Sequence, residues 1–207
     1  ARVKKAKSKY YEAEVLEVIE KSPYRVEPKC IHFGVCGGCK WQNLSYEKQL
    51  DFKQEEVYNN IKRIGGIENF ETLPILGSEE QYFYRNKMEF SFSNARWLTQ
   101  YEISSEENFG NKDALGFHIP GMWSKILDLK ECFLQEEPSN EIRLAVRDYA
   151  IKNGLDFYDV RNQEGFLRTL MLRQNSKGEW MVLFQLYREE KENRENLFNF
   201  VLEKFPQ

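Results

Sequence analysis

The stretch YRNKMEFSFSNARW, residues 84–97, has the pattern of a β-strand that buries one face. Along its middle, apolar and polar residues alternate: Met88, Phe90 and Phe92 against Lys87, Glu89 and Ser91. Side chains of a strand point to opposite faces with a period of two residues. The stretch therefore predicts a half-buried strand with its apolar face on a hydrophobic core.

The segments around this strand predict more strands and three helices. Strand patterns occur in ALGFHIPG and SKILDLKECFL, which flank a Gly-Met-Trp turn, and in the hairpin formed by RTLMLRQ and EWMVLFQLY. Helical spacing predicts three helices, over about 46–64, from Ser139 to Asn153-Gly154, and over about 189–204. The polar residues 98–113 predict a loop. Ser45 is the expected cap of the first helix, and its apolar positions share one face: Leu50, Val57, Ile61 and Ile64. Because the strands and helices do not alternate regularly, the expected fold class is α+β, an antiparallel sheet with flanking helices.

The first 27 residues differ in character from the rest of the chain. Four lysines precede two tyrosines, and Ala13, Val15 and Val18 then approximate strand alternation before a Ser22-Pro23 turn. This segment is typical of the last strands of a small β-domain.

Composition limits the class of protein. Hydrophobic residues make up 41% of the 207 residues and aromatic residues 14%, which is enough for a packed core. No apolar run approaches the roughly 20 residues of a membrane span, and the basic N-terminus lacks the apolar segment of a secretory signal, so we expect a cytoplasmic protein without a membrane partner. The net charge of −3 argues against a uniformly basic nucleic-acid binder, although the Lys-rich residues 1–30 leave a local basic face possible.

The chain has four cysteines, Cys30, Cys36, Cys39 and Cys132, and three of them lie within ten residues. Gly37 and Gly38 allow the backbone to curl tightly there, so that amide N–H groups can point at sulfur. Four thiolates are the usual ligands of a [4Fe–4S] cluster, and Cys132 is the available fourth ligand.

Other interpretations of these cysteines remain open. Structural zinc also uses four cysteines, but usually as two close pairs rather than three plus one. Buried free thiols or two disulfides are further alternatives. His32 lies inside the loop and is more typical of a packing or surface residue than of a ligand, because four thiolates suffice.

The motifs together resemble RNA uracil-5-methyltransferases, the family that modifies uridine in ribosomal or transfer RNA. The matching residues follow in order: Cys30-x5-Cys36-Gly-Gly-Cys39, then KWQNL at 40–44, Tyr46, Gln49-Leu50 and Lys53, then YRNKMEF at 84–90, LGFH at 115–118, Cys132, Leu167-Arg168 and Leu172-Arg173. The start of the chain is similar to the end of the family's TRAM domain, a small RNA-binding β-barrel of the OB type.

The resemblance implies a three-part enzyme, of which this chain holds only a part. Residues 1–27 would be the C-terminal part of the TRAM barrel, and residues 28–207 the central iron–sulfur and RNA-binding domain. The Rossmann-like domain that binds S-adenosylmethionine (SAM) is expected outside this chain, because no Gly-rich strand-to-helix turn is present. In the family a cysteine attacks C6 of a flipped-out uracil so that C5 can accept the methyl group. With four cysteines committed to the cluster, no catalytic residue is expected in this chain, which alone should be inactive and monomeric.

Candidate RNA contacts are basic residues on the polar faces of strands: Arg85, Lys87, Arg168 and Arg173. Such side chains hold phosphates or base edges, although an ordinary solvated face has the same pattern. Two other functions stay open beside the methyltransferase. One is a stand-alone iron–sulfur electron carrier, and the other is a zinc- or iron–sulfur-stabilised RNA-binding module without catalysis.

Overall fold

The structure, a computed structural model, describes residues 1–105 and 110–206. Residues 106–109, part of the predicted loop, lie outside the described residues. The chain divides into two compact units, Ala1–Glu27 with Asn43–Ile75, and Pro28–Gln42 with Leu76–Gln207. Residues 43–75 group with the N-terminal segment, and the assignment of residues 1–27 and 28–207 to two domains stays a prediction.

Within the first unit, the N-terminal segment forms a small exposed sheet. Strands β1 (Arg2–Ala6) and β2 (Tyr11–Glu14) pair antiparallel, and all of their residues are exposed. The predicted alternation at Val15 and Val18 is wrong, because the strand ends at Glu14. The assignment to a TRAM barrel stays a prediction.

The helix predicted over residues 46–64 is present but less regular than expected. Helix α1 spans Tyr46–Asn59 and continues as a π-helical turn, Asn60–Ile64. Ser45 occupies the predicted N-cap position, although its side chain makes no capping hydrogen bond. The predicted apolar face is not a buried face, because Val57 is 56% exposed and Ile64 is 82% exposed.

The second unit is built on a five-stranded antiparallel sheet in the order β5-β4-β3-β6-β7. The strands are β3 (Lys87–Ser93), β4 (Ala114–Ile119), β5 (Met122–Asp128), β6 (Leu167–Gln174) and β7 (Trp180–Leu186). The predicted α+β class with an antiparallel sheet is confirmed. The β4–β5 turn lies at Pro120-Gly121, so Trp123 belongs to β5 and not to the turn.

Helices α3 (Ser139–Lys152) and α4 (Lys191–Lys204) supply the other half of the core. Phe90 and its apolar neighbours on β3 pack with Val146 of α3 and Leu197 of α4. A short helix α2 (Gln100–Ser104) occupies part of the predicted loop, which corrects that prediction. Among the described residues, no helix combines the length and apolar character needed to cross a bilayer.

The other side of the sheet is polar and exposed in its centre. We call it the outer face and define it by residues whose side chains alternate with the core residues on β3, β6 and β7: Lys87, Glu89, Ser91, Thr169, Met171, Arg173, Met181, Leu183 and Gln185. Lys87 pairs with Arg173, and Ser91 with Thr169. Two of the sequence-predicted RNA contacts, Lys87 and Arg173, therefore lie on this face.

Candidate functional site

All four cysteines line one small cavity in the second unit. Cys30, Cys36 and Cys39 come from the loop that precedes α1, and Cys132 from the segment between β5 and α3. The cavity has a volume of about 20 Å³, which is room for about one water molecule. The structure therefore brings together the residues that the sequence nominated, and their role as metal ligands stays a prediction.

The cysteine loop is folded by its own backbone hydrogen bonds. The Phe33 amide donates to the Cys30 carbonyl at 3.1 Å, and the Cys36 amide donates to the His32 carbonyl at 2.9 Å. The Gly38 amide donates to Cys36 Sγ at 3.3 Å, which is the contact expected of the two glycines. Such a bond stabilises negative charge on sulfur.

Gly37 is required for a different reason, the close approach of the loop to β4. A Cβ atom at this position would lie 2.9 Å from the His118 carbonyl oxygen, a backbone atom that cannot rotate away. We expect Gly37→Ala to lower the free energy of unfolding by about 1–3 kcal/mol, because the crowded backbone must shift. Denaturant unfolding measures this cost. Gly110→Ala is the matched control, since a Cβ there meets nothing within 4 Å, and equal effects of the two substitutions would contradict the prediction.

Two hydrogen bonds tie the loop to the segment that carries Cys132. The Lys130 amide donates to His32 Nε2 at 2.9 Å, and the Ile31 amide donates to Glu131 Oε1 at 3.3 Å. Burial lowers the pKa of His32, so its imidazole is neutral and can accept the bond. His32 is thus a buried structural residue, as the sequence suggested.

The first turn of α3 holds Cys132 in place. The Asn140 side chain accepts from the Cys132 amide at 2.8 Å and donates to the Cys132 carbonyl at 3.0 Å. Arg143 reinforces this arrangement, because its guanidinium donates to Asn140 Oδ1 at 3.1 Å and to the Leu129 carbonyl.

Arg143 is a buried cation without a matching anion. Its side chain is 0% exposed, its Nε has no hydrogen-bond partner, and it lies 5.5 Å from the centre of the Phe90 ring. Burial lowers the pKa of Arg143 to about 10, so the guanidinium is still charged at neutral pH. Asp128, a nearby carboxylate, already binds Arg147 at 2.7 Å. In residues 1–105 and 110–206, no carboxylate lies within ion-pair distance of Arg143.

Three of the four thiols, those of Cys30, Cys36 and Cys132, are held in the neutral form by burial. Burial raises the pKa of Cys30, Cys36 and Cys132, and that of Cys132 reaches about 11. Binding of a metal would therefore release protons. Over the described part of the chain, no group of three or more His, Cys, Asp or Glu side chains is arranged to hold a metal ion.

The four predicted RNA contacts fall into two places on the sheet. Lys87 and Arg173 are cross-strand partners on the outer face, and Arg85 precedes Lys87 by two residues. All three are exposed, although Lys87 Nζ also contacts Glu89 at 2.9 Å. Arg168 is separate, about 17 Å along β6 from Arg173, and its guanidinium lies 5.1 Å from the centre of the Tyr158 ring.

A second cavity, of about 220 Å³, lies beside Arg168. Its walls include Trp123 and Tyr158, which the sequence patterns did not single out. Trp123 stood in a predicted turn, and its position next to a predicted strand was the available signal. Arg143 was also missed, although a charged residue directly beside the buried Ile142 was visible in the sequence.

Comparison with known proteins shows extensive similarity to RNA methyltransferases, while no family model matches the chain. A protein of Bacteroides thetaiotaomicron named "uncharacterized RNA methyltransferase" is 47% identical over 209 residues, which cover 100% of this chain and 46% of that protein. A Porphyromonas gingivalis protein of the same name is 45% identical and is covered to 45% of its length. The chain thus spans about half the length of these relatives.

Among solved structures, similarity extends to the tRNA (uracil-54, C5)-methyltransferase of Pyrococcus abyssi in complex with S-adenosyl-L-homocysteine. The TM-score is 0.62 at 27% sequence identity, and the match covers 95% of this chain and 40% of that one. The expected relationship to RNA methyltransferases is supported by both comparisons. The chain is thus similar along its whole length to a portion of proteins named RNA methyltransferases, and over 95% of its length to a portion of a tRNA uracil-C5 methyltransferase.

Proposed function

We propose that this chain is the RNA-binding and iron–sulfur portion of a SAM-dependent RNA uracil-5-methyltransferase. The observation that carries the proposal is the 47% identity, along the full chain, to a protein named RNA methyltransferase. The structural neighbour is a uracil-C5 enzyme with S-adenosyl-L-homocysteine bound, which supports both the uracil target and the methyl donor. The RNA substrate is ribosomal or transfer RNA.

The chemical step is assigned to a part of the protein outside these 207 residues. The relatives are more than twice as long as the aligned region, which leaves room for a SAM-binding domain in them. All four cysteines of this chain line one cavity, so none is placed apart as a nucleophile. The chain would contribute RNA binding, and residues 1–27 would belong to a TRAM barrel.

We assign a [4Fe–4S] cluster to Cys30, Cys36, Cys39 and Cys132. A single zinc ion needs four sulfurs at about 2.3 Å, whereas a cluster separates its thiolates by interposed iron and sulfide. All four thiols line one cavity, and four cysteines are the usual ligand set of such a cluster.

Arg143 provides independent support for an anionic centre at this place. Burying a charge without a partner is costly, so a buried guanidinium favours a nearby anion. Asn140 joins the backbone of Cys132 to the Arg143 guanidinium, so the negative charge of iron-bound thiolates would lie close to this cation. When bound, the cluster would supply a covalent link between the loop and the start of α3.

RNA binding is assigned to the outer face, where Lys87 and Arg173 are exposed, and to the exposed Arg85, which lies just before β3 and not on the strand as predicted. Substituting Lys87 and Arg173 together by methionine should weaken binding of single-stranded RNA and reduce its salt dependence. Each lost phosphate contact lowers the slope of log K against log salt by about 0.7, so the double variant should lose about 1.4. A fluorescence anisotropy titration at several salt concentrations measures the slope. Lys152→Met, at the end of α3, is the control, and a double variant with the slope of this control would exclude these contacts.

The proposed function is tested by methyl transfer from labelled SAM to uridine in RNA. The 207-residue chain should bind RNA and transfer no methyl group, whereas a longer protein with the full length of the relatives should methylate C5. Methylation by the 207-residue chain alone would contradict the assignment of the chemical step to a part of the protein outside these residues. Absence of methylation by the longer protein would leave an RNA-binding module as the function.

A further inference from the structure

The cavity beside Arg168 lies at one end of the outer face and has a mixed lining. Its floor includes the buried side chains of Phe92 and Ile126, and its volume is about 220 Å³. This is less than the roughly 300 Å³ at which sites for drug-sized ligands begin, so the cavity suits one flat ring system rather than a folded peptide or a helix.

The walls present aromatic surface to the cavity. Trp123 is 65% exposed although it lies on a strand of the sheet, and a ligand that covered its indole would remove that apolar surface from water. Tyr158 packs on Tyr187 with ring centres 5.1 Å apart, and the guanidinium of Arg168 lies 5.1 Å from the Tyr158 ring. Aromatic rings and arginine planes are the surfaces on which unpaired nucleic-acid bases stack.

Polar atoms on the walls can recognise the edge of a ring. The hydroxyl of Thr169 contacts Gln185 Oε1 at 3.1 Å, and the hydroxyl of Ser91 lies 3.4 Å from His118 Nε2. If Thr169 donates to the Gln185 carbonyl oxygen, the Gln185 amide nitrogen keeps both of its hydrogens for a ligand. The edge of a base combines donors and acceptors, as this wall does.

The charge of the cavity favours an anion. None of the described residues that line it is an aspartate or a glutamate, and Arg168 stands in the wall. A second cation, Arg161, reaches the wall through Ser124 Oγ at 3.5 Å. An acidic peptide would satisfy this charge but has no ring for the aromatic wall.

We propose that this cavity holds one unstacked base of single-stranded RNA, stacked on Trp123, with Arg168 beside the neighbouring phosphate. The site rests on the proposed RNA-binding function and extends it, because it reads a base about 17 Å from the phosphate contacts at Lys87 and Arg173. The site would bind one particular nucleotide at the outer face, whereas the exposed cations attract any phosphate of the RNA backbone.

The test compares the RNA affinity of Trp123→Ala and Arg168→Met with that of the wild type, using a labelled single-stranded oligonucleotide. Loss of one stacked base should weaken binding about 5- to 100-fold in Trp123→Ala. Leu202→Ala on α4 removes a comparably exposed apolar side chain, and Lys152→Met removes a charge elsewhere, so both should bind like the wild type. Circular dichroism melting of each variant checks that the fold is kept.

An abasic series separates base recognition from phosphate attraction. Removing one base at a time from the oligonucleotide should weaken wild-type binding at one position and leave Trp123→Ala insensitive there. If the wild type binds RNA but Trp123→Ala binds equally well, or if no abasic position matters, the base site is excluded while the proposed function stands. If the wild type binds no RNA even at low salt, the proposed function fails, and this site fails with it.

Discussion

Cys132→Ser should abolish the visible absorbance of the cluster-loaded protein and lower its free energy of unfolding by about 4–5 kcal/mol. The cluster would join the loop at 30–39 to a segment about 90 residues further along the chain. Closing so long a loop removes conformational entropy from the unfolded chain, by analogy with a disulfide of the same span. Denaturant unfolding of the anaerobically purified protein, with absorbance recorded in parallel, measures both effects.

The cluster-free form of the same protein is the control for this substitution. After chelation, wild type and Cys132→Ser should unfold at nearly the same denaturant concentration, because the serine keeps the Asn140 contacts to the backbone of residue 132. A Cys132→Ser variant that unfolds like the loaded wild type would mean that the site contributes nothing to stability.

Arg143→Met should destabilise the cluster-loaded protein by about 3–5 kcal/mol, because it leaves a buried anionic centre without its cation. In the cluster-free protein the loss should be smaller, since the buried guanidinium then has no anion to offset its own desolvation. Four unfolding curves are needed, for wild type and Arg143→Met in the loaded and in the cluster-free form. The loss in free energy of unfolding in the loaded form, minus the loss in the cluster-free form, separates the charge effect from the loss of packing.

Two further variants refine the Arg143 experiment. Arg143→Lys keeps the charge but loses the planar fork that reaches Leu129 and Asn140, so it should fall between wild type and Arg143→Met. Arg147→Met, one turn along α3, breaks a partly exposed pair with Asp128 and should cost the same in both forms. Equal destabilisation of both forms by Arg143→Met would show that no anion at the cysteines depends on this residue.

The sheet and its core could be predicted because a local signal and the global fold agree there. The alternation around Phe90 placed the central strand, and the spacing of Ile142 and Val146 placed the helix that covers it. Periodicity shows which residues share a face but not whether another element packs on that face. The exposed Val57 and Ile64 of the first unit illustrate this limit.

The candidate sites were only partly predictable for the same reason. The cysteine count nominated Cys132 as the fourth member of its group, although no local pattern shows that it lies beside the loop at 30–39. Arg143 and Trp123 have neighbours that are distant in sequence. Arg143 donates to the Leu129 carbonyl, and Trp123 lines the same cavity as Tyr158. Such contacts depend on topology, which spacing does not encode.

The bonds from the Lys130 amide to His32 and from the Ile31 amide to Glu131 join residues 98 and 100 positions apart. Contacts of such long range are slow to form during folding, because the intervening chain must first be ordered. During synthesis, Cys30, Cys36 and Cys39 leave the ribosome well before Cys132, and chains emerge at about 5–20 residues per second. For several seconds, three of the four thiols are therefore present on a nascent chain that cannot yet enclose a cluster. If the proposed cluster is bound, its insertion would be a late event of maturation, and the three thiols would be open to oxidation in the interval before it.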